Sequence, residues 1–440
     1  MLMPRQQICF IFITFFAPSI EVLLVGEMLC GLPWGVFQTI TTAYAAEVTP
    51  VALRHVLTTY VNLCWVLGQI TGSGVLRGLV TRNDQWGYRI PFALQWMWPI
   101  PLLVGICFAP ESPWWLVRRN QLERAEHALR RLTSSKYIDF DPQKTIAMMI
   151  HTNELEKETV SGTSYWDCFK GTDLRRTEIA CMVWMIQILC GCGLVGASAQ
   201  FFQQAGLDPV HAFDLSMGMY AVGAVGTVAA WFVMTRVGRR TLYLFGLLAM
   251  FTVLLIVGFL AIPGPNNTGA VWASGSMLLI FNFLYDFTVG PVCYCVVAEV
   301  SSVRLRQKTI VLARNAYNIM GIVNFVLTPR MLNPTGWNWR GYSGFFWAGT
   351  CFLSIVWTYF RLPETKGKTY AEMDVLFERR VSARKFATTA AGRFNMIFDH
   401  RAETLIPFQI PSVERRSRLA TVLSLESSPG ILVSKMVRVA

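Results

Sequence analysis

Carboxylate and guanidinium side chains recur in this chain seven residues apart. Glu47 precedes Arg54 at that spacing, and Glu299 precedes Arg306 in a second copy of the same Ala-Glu-Val phrase. Each copy ends an apolar stretch, where such groups form partly screened ion pairs of up to ~1 kcal/mol. The repeated spacing favours charge contacts between helix ends. The alternative is a set of solvated helix ends rich in basic residues, the usual composition of cytoplasmic loops.

A second motif is also written twice. Residues 110–113 read Pro-Glu-Ser-Pro and residues 363–366 read Pro-Glu-Thr-Lys, which places Glu111 and Glu364 after matching apolar stretches. The two motifs have the same separation between their copies to within one residue. When two unrelated motifs each occur twice with the same distance between their copies, the chain contains an internal duplication. The chain is therefore predicted to contain two homologous halves.

Composition places these motifs in a membrane protein. The 440 residues are 53% hydrophobic and 15% charged, whereas soluble chains carry about 25% charged residues. The net charge of +12 arises from basic residues in loops, which orient membrane spans, so nucleic-acid binding is not predicted. Of the eleven cysteines, only Cys168 lies outside apolar stretches. We interpret them as free, small apolar side chains and predict neither a metal site nor a cofactor.

Apolar stretches of about 20 residues define the candidate membrane spans. The first is short, and residues 8–16 behind Arg5 also resemble a signal peptide, although a clipped or tilted span is preferred. The fold class is therefore all-α and polytopic, with about ten spans. These are residues 6–20, 21–46, 56–78, 91–109, 178–202, 211–235, 241–262, 269–298, 309–331 and 341–361.

The long polar segment 112–176 separates the two halves. Basic and acidic residues alternate at helical spacing from Trp115 to Arg131, which predicts one solvated surface helix. Its positive charge places the segment, and with it the C-terminal tail, in the cytoplasm. Asn266 begins a glycosylation sequon in a loop on the other side. The tail from about residue 385 is polar and is expected to be largely disordered.

The duplication also predicts where the halves begin. The second half starts near Thr177, and the matching start of the first half falls before Met1. We therefore expect two spans of the first half to be missing from this sequence, which would be N-terminally truncated. The predicted units are 1–116, a partial bundle of about four helices; 117–176, the cytoplasmic loop; 177–367, a six-helix bundle; and 368–440, the tail.

Five motifs in order resemble the sugar porter family of the major facilitator superfamily. They are 47–54, 110–113, Gly-Arg-Arg at 238–240, 299–306 and 363–367. Two segments look closest to fungal maltose and α-glucoside permeases. They are Trp-Trp-Leu at 114–116, after the first proline motif, and residues 371–378, after the last motif. Gly26-Glu27, where most sugar porters have Gly-Arg, is similar to the same branch. The resemblance implies a two-bundle fold with twelve helices, of which about ten are present here.

The resemblance also implies roles for particular residues. A cytoplasmic charge network joins the halves when the cavity faces outward, and a sugar site lies near the membrane midplane. The implied gate residues are Glu47, Arg54, Glu111, Arg239, Arg240, Glu299, Arg306 and Glu364. The implied substrate-binding residues are Asn62, Gln187, Asp286, Tyr294 and Asn318, with Asn315 as a further candidate.

Two features of these side chains suit a sugar. Amides both donate to and accept from vicinal hydroxyls, and an aromatic face stacks on a pyranose ring. For each residue alone, an interhelical hydrogen bond is an equal alternative. Gln187 keeps the first position of the family's Gln-Gln-x-Ser-Gly-x-Asn motif, but the asparagine of that motif is absent here. Tyr294 stands where the family usually has tryptophan.

The predicted function is proton-coupled uptake of maltose or related α-glucosides by alternating access. The family's proton-accepting carboxylate lies on a helix that this sequence does not contain, and Asp286 is a weak substitute. The alternatives are a truncated, non-transporting product and a porter-fold sugar sensor. The expected partners are sugar, protons and the lipid bilayer, with no nucleic acid. A monomeric, non-enzymatic, multi-pass plasma-membrane protein is predicted.

Overall fold

The computed structural model describes residues 2–48, 51–82, 84–133, 141–160, 164–204, 206–263, 267–302, 305–368 and 370–389. Throughout these ranges the regular structure is helical. The helices are α1 (Leu2–Phe15), α2 (Ile20–Val48), α3 (Val51–Leu79), α4 (Trp86–Leu94), α5 (Pro99–Phe108), α6 (Pro113–Arg118), α7 (Leu122–Leu132), α8 (Pro142–Val160), α9 (Gly171–Gln187), α10 (Gly193–Gly196), α11 (Ser198–Gln204), α12 (Pro209–Arg236), α13 (Arg239–Leu260), α14 (Thr268–Phe287), α15 (Val289–Val300), α16 (Arg306–Leu332), α17 (Ser343–Arg361) and α18 (Tyr370–Glu378).

Within these ranges, seven helical segments are long and apolar enough to cross a membrane: Ile20–Phe37, Trp86–Phe108, Gly171–Gly196, Pro209–Met234, Arg239–Leu260, Gly269–Val300 and Arg306–Leu332. The predicted spans 6–20, 56–78 and 341–361 correspond to α1, α3 and α17, which are not among them. Helix α1 has only 14 residues, fewer than the roughly 20 that a span requires. The all-α membrane fold is confirmed, but the count of ten spans is not.

Several helices begin with a capping residue that the sequence supplies. The Ser112 side chain accepts from the Trp115 N–H at the start of α6, and Asp208 accepts from the Val210 N–H at the start of α12. In both helices a proline occupies the first turn, where its missing N–H costs nothing. The Asn267 side chain accepts from the Ala270 N–H and begins α14. These caps satisfy backbone donors that a helix start leaves unpaired.

Two predicted spans are interrupted within their length. The helix that begins with α9 widens at Ile188–Cys192, where Gly191 adopts φ 102°. The stretch 269–298 divides into α14 and α15 at Thr288, which has φ −124° and ψ −80°. Irregular backbone inside a membrane is tolerated where it lines a cavity or is covered by protein. Both breaks therefore indicate where a cavity wall lies.

The polar segment between the halves is more structured than predicted. The single helix expected from Trp115 to Arg131 is wrong, because α6 and α7 are separated at Asn120, which has φ 59°. Helices α6, α7 and α8 pack around a small apolar cluster that includes Leu116, Leu129 and Ile146. The expected surface ion pairing is present between Arg130 and Glu126, whose Nη2 and Oε1 lie 2.8 Å apart.

The start of the tail is anchored to the second half. The Arg176 guanidinium, which is buried, lies 2.5 Å from an Asp374 carboxylate oxygen and 4.5 Å from the centre of the Phe377 ring. Phe377 in turn packs edge-on against Phe386. Helix α18 is thereby fixed to the start of α9. The expected disorder of the tail concerns residues beyond 389, which lie outside the described residues.

Helices α12 and α14 pack closely through glycine. A Cβ added at Gly226 would lie 2.9 Å from the Phe283 carbonyl oxygen, and one at Gly223 would lie 2.3 Å from the side chains of Asn282 and Asp286. Gly223 and Gly226 thus form a small-residue face that lets the two helices approach closely, as is typical of membrane helix pairs.

Gly226→Val is expected to destabilise the folded protein by about 1–3 kcal/mol, because the added side chain overfills this contact. The matched control is Gly218→Val on the same helix, where an added Cβ meets nothing within 4 Å. The measurement is the thermal unfolding midpoint in detergent. Equal midpoints for the two variants would contradict the close packing.

Candidate functional site

A cavity of about 1090 Å³ lies between α3 of the first half and several helices of the second half. Its wall uses the C-terminal parts of α3 and α16, the interrupted stretch after α9, the first half of α12, and the α14–α15 break. Helices α3 and α16 end on one side of the protein, and α12 begins on that same side. We call this side the cavity face. The cavity extends from the middle of the helices toward that face.

All five predicted substrate-binding residues line this one cavity. Asn62 comes from α3, Gln187 from α9, Asp286 from α14, Tyr294 from α15 and Asn318 from α16. Asn315 is exposed and is not part of the wall. The structure thus brings together side chains from five helices.

A polar cluster crosses the boundary between the halves at the base of the cavity. The Asn62 amide donates to Thr227 Oγ1 at 3.0 Å and to Asp286 Oδ1 at 3.1 Å. The Asn282 amide donates to the other Asp286 oxygen at 3.1 Å and to the Met219 carbonyl at 3.0 Å. All four side chains are at least 93% buried. Because buried polar groups are expensive to leave unpaired, this cluster ties α3 to α12 and α14.

Aromatic and cationic groups form another part of the wall. The Arg314 guanidinium lies 4.6 Å from the Trp184 ring centre and 4.4 Å from that of Tyr317, within reach of a cation–π interaction. Tyr294 packs edge-on against Trp184. Gln187 donates to the Gly290 carbonyl at 3.2 Å, which holds the amide beside the α14–α15 break. The side chains of Tyr294 and Tyr317, together with several amides, thus line the same cavity.

Sequence reasoning missed several of these residues. Asn282 lies one helical turn before Asp286, the spacing at which side chains on a helix meet, so it could have been found. Arg314 is a charge inside a predicted span, which is by itself a signal for a functional position. Thr227 gave no such signal, since threonine is unremarkable in a membrane helix.

The predicted gate residues Arg239, Glu299 and Glu364 of the second half lie on the face opposite the cavity face. Arg239 Nη2 lies 3.2 Å from Glu299 Oε1, and Thr365 donates to the other Glu299 oxygen. Glu364 accepts from the backbone N–H groups of Arg239 at 2.8 Å and Arg240 at 3.2 Å. This carboxylate caps the start of α13, which has no side-chain cap of its own.

The other gate residues are placed differently. The Arg240 guanidinium donates to the Tyr359 carbonyl at 2.8 Å, whereas the Arg240 backbone N–H donates to Glu364. Glu111 is exposed, and Arg306 is the first residue of α16. The side chains of Glu47 and Arg54 lie outside the described residues. Contacts between the halves through this network therefore stay a prediction.

One ion pair joins the halves at the cavity face. Arg77 Nε near the end of α3 lies 2.7 Å from Asp214 Oδ1 near the start of α12, and His211 Nδ1 lies 3.9 Å from the other Asp214 oxygen. Both partners are partly exposed. Such pairs contribute modestly and are sensitive to salt.

Removing either charge, by Arg77→Ala or Asp214→Ala, is expected to loosen this contact by about 0.2–1 kcal/mol. The rate at which an impermeant maleimide labels a cysteine placed at Ser73 in the cavity wall should then rise by about 1.5- to 5-fold. The exposed native thiols Cys9, Cys64 and Cys107 are replaced by serine beforehand. The exchanged pair Arg77→Asp with Asp214→Arg should restore the original rate; a faster rate than in either single variant would contradict the ion pair.

Comparison with known proteins identifies the family. Residues 7–377 match the family model described as "Sugar (and other) transporter". The chain belongs to this sugar transporter family. It is 43% identical over 395 residues to the maltose permease MAL31 of Saccharomyces cerevisiae, covering 88% of this chain and 63% of the relative. It is 41% identical over 390 residues to the general alpha-glucoside permease of the same yeast, with the same coverage.

Solved structures confirm the fold. The MFS (major facilitator superfamily) proton:xylose symporter XylE bound to 6-bromo-6-deoxy-D-glucose superposes with a TM-score of 0.68 at 20% identity, covering 86% of this chain and 82% of that structure. The inward-open conformation of the xylose transporter XylE from E. coli superposes with a TM-score of 0.67 at 20% identity, covering 85% of this chain and 82% of that structure. The fold is that of the major facilitator superfamily, and the protein is a multi-pass membrane protein. The chain spans 63% of the length of the two yeast relatives.

Proposed function

We propose that the protein is a plasma-membrane carrier that takes up maltose or related α-glucosides together with protons. The observation that carries this proposal is the single cavity lined by Asn62, Gln187, Asp286, Tyr294 and Asn318 between α3 and the second half. Similarity to proteins named maltose permease and general alpha-glucoside permease supports the substrate class. The likeness to a proton:xylose symporter supports the fold that such a carrier needs.

The cavity is suited to a sugar by its chemistry and size. Its volume of about 1090 Å³ is slightly above the roughly 300–1,000 Å³ typical of small-molecule sites. That volume favours a disaccharide over a single hexose. Amide groups at Asn62, Gln187 and Asn318 pair with hydroxyls as donors and acceptors. Tyr294 and Tyr317, which both line the cavity, offer aromatic rings to the apolar face of a pyranose ring.

Asp286 is the proposed proton acceptor. Its carboxyl group lines the cavity and is held by the amides of Asn62 and Asn282, which belong to different halves. A proton taken up at either Asp286 oxygen removes the charge that these amides face. Loss of that charge loosens the contact between α3 and α14. Sugar binding and proton binding would thereby act on one junction between the halves.

Alternating access would use both faces of the protein. The cavity reaches the face that carries the Arg77–Asp214 pair, while the Arg239–Glu299 cluster lies on the opposite face. The positive charge of the loop 117–176 supports a cytoplasmic position for that opposite face. The cavity then opens outward, ready for uptake. In this proposal units 1–116 and 177–367 rock against each other, and 368–440 forms the cytoplasmic tail.

The rival function is a sugar sensor of the same fold. The ion pair between Arg176 and Asp374 fixes the start of the tail to α9. This contact is a reason to consider a sensor, because a sensor must transmit sugar binding to its cytoplasmic side. The test compares the full chain with a deletion of residues 390–440 in yeast that lacks its own maltose permeases. A carrier retains uptake of radiolabelled maltose after the deletion. A sensor shows a maltose-induced transcriptional response that the deletion abolishes, without uptake in either form.

A further inference from the structure

A second hollow, of about 440 Å³, lies at the cavity face after the end of α16. It is lined by Arg330, Asn333, Thr335, Gly336 and Trp337. Arg330 lies in the last turn of α16, and the other four residues belong to the connection between α16 and α17. None of the predicted binding or gate residues lies in this connection. The hollow therefore needs an explanation of its own.

The connection that forms this hollow is tightly folded. The Trp337 N–H donates to the Arg330 carbonyl at 2.8 Å, and the Trp339 N–H donates to the Met331 carbonyl at 2.7 Å. A Cβ added at Gly336 would lie 2.4 Å from the Arg330 carbonyl oxygen, so the turn requires glycine. These contacts fix the loop before any ligand arrives, which lowers the entropy cost of binding.

An aromatic platform forms one side of the hollow. Trp337 and Trp339 lie with ring centres 5.1 Å apart and planes tilted by 33°. Trp339 is backed by Phe346 at 6.3 Å, at the start of α17. Trp337 remains 48% exposed, although it is among the largest apolar side chains. An exposed, supported indole beside amide and guanidinium groups is the arrangement that binds a sugar ring through its face and its hydroxyls.

The hollow is continuous with the wall of the large cavity. Pro329 lines the large cavity, and the next residue, Arg330, lines the hollow. Gln200, also in the cavity wall, donates to Asn333 Oδ1 in the hollow at 2.7 Å. The hollow and the large cavity are therefore adjacent, and a residue of one bonds to a residue of the other.

We infer that the Trp337–Trp339 platform, with Arg330 and Asn333, forms an outer binding site for one glucopyranosyl ring of an α-glucoside at the entrance to the cavity. The site captures sugar from outside and raises its local concentration beside Gln200. This inference takes its orientation and ligand class from the proposed function. The alternative is that the two tryptophans anchor the loop at the lipid headgroups, as tryptophan often does in membrane proteins.

The first experiment measures initial rates of radiolabelled maltose uptake, normalised to surface abundance. Trp337→Leu keeps an apolar side chain but removes the flat ring, and should raise the apparent KM by about 3- to 10-fold with Vmax within twofold. Trp337→Phe should recover most of the loss. The matched control is Trp86→Leu, because Trp86 begins α4 on the same face and is 47% exposed. Equal effects of Trp337→Leu and Trp86→Leu would overturn the outer site in favour of lipid anchoring.

The second experiment separates the outer site from transport. Maltose binding to the purified full chain is measured by calorimetry in an Asp286→Ala background, with and without Trp337→Leu. Residual binding that Trp337→Leu weakens at least threefold supports the outer site, even if the chain transports no maltose. Binding that is absent, or insensitive to Trp337→Leu, overturns it whatever the outcome of the uptake assay.

Discussion

Asp286→Ala is expected to lower maltose uptake by about 10- to 100-fold at equal surface abundance. The variant removes the acceptor of the Asn62 and Asn282 amides, both of which are buried. An unsatisfied buried polar group costs about 1–3 kcal/mol, so the junction between α3 and α14 loses its defined geometry. Radiolabelled uptake in permease-deficient yeast measures the loss.

Asp286→Asn separates the two roles proposed for this side chain. It keeps the size of the carboxyl group and one acceptor oxygen, but it cannot take up a proton. We expect maltose to equilibrate across the membrane without accumulating. The matched control is Asp208→Asn, because Asp208 caps α12 at the cavity face and asparagine caps a helix equally well. Accumulation by Asp286→Asn at the wild-type level would show that Asp286 is not the proton acceptor.

Glu364→Ala is expected to lower the maximal rate of uptake by at least about 10-fold while leaving KM within twofold. Glu364 accepts two backbone N–H groups at the start of α13 and lies on the face opposite the cavity. A carboxylate in this position contributes about 2–3 kcal/mol through charge-assisted hydrogen bonds and the helix dipole. Without it the start of α13 loses its cap and its contact with the segment after α17, so the second half moves less readily as one body.

Glu364→Gln tests whether the negative charge matters beyond hydrogen bonding. The amide oxygen can still accept one N–H, so an intermediate rate is expected, together with an intermediate thermal unfolding midpoint. Glu378→Gln, an exposed carboxylate at the end of α18, provides the control and should behave as the wild type. A wild-type rate for Glu364→Ala would mean that the cluster on this face does not limit the conformational cycle.

The sequence predicted which residues line the cavity better than it predicted their hydrogen-bond partners. The residues Asn62, Gln187, Asp286, Tyr294 and Asn318 all line one cavity, because polar groups in apolar spans must face either a cavity or another helix. What they bond to depends on helix rotation and on residues far along the chain. Asn62 meets Thr227, for example, which lies 165 residues away in sequence.

The breaks within the spans were not predicted. Ile188–Cys192 and the Thr288 junction lie in apolar, glycine-containing sequence that reads as continuous helix. Hydropathy reports only whether a segment can enter lipid, whereas the breaks follow from packing: a Cβ at Gly191 would lie 2.9 Å from Leu254. The gate motifs were recognised as charged turns, but the capping of α13 by Glu364 requires the folded second half.

Maltose flux in proteoliposomes containing the purified protein tests the central proposal most directly. The protein is expressed from its complete open reading frame, and an inward proton gradient is imposed across the vesicle membrane. We predict that maltose accumulates above its external concentration and that a protonophore abolishes the accumulation. A folded protein that moves no maltose, or that moves it equally well with and without the proton gradient, would contradict proton-coupled α-glucoside transport.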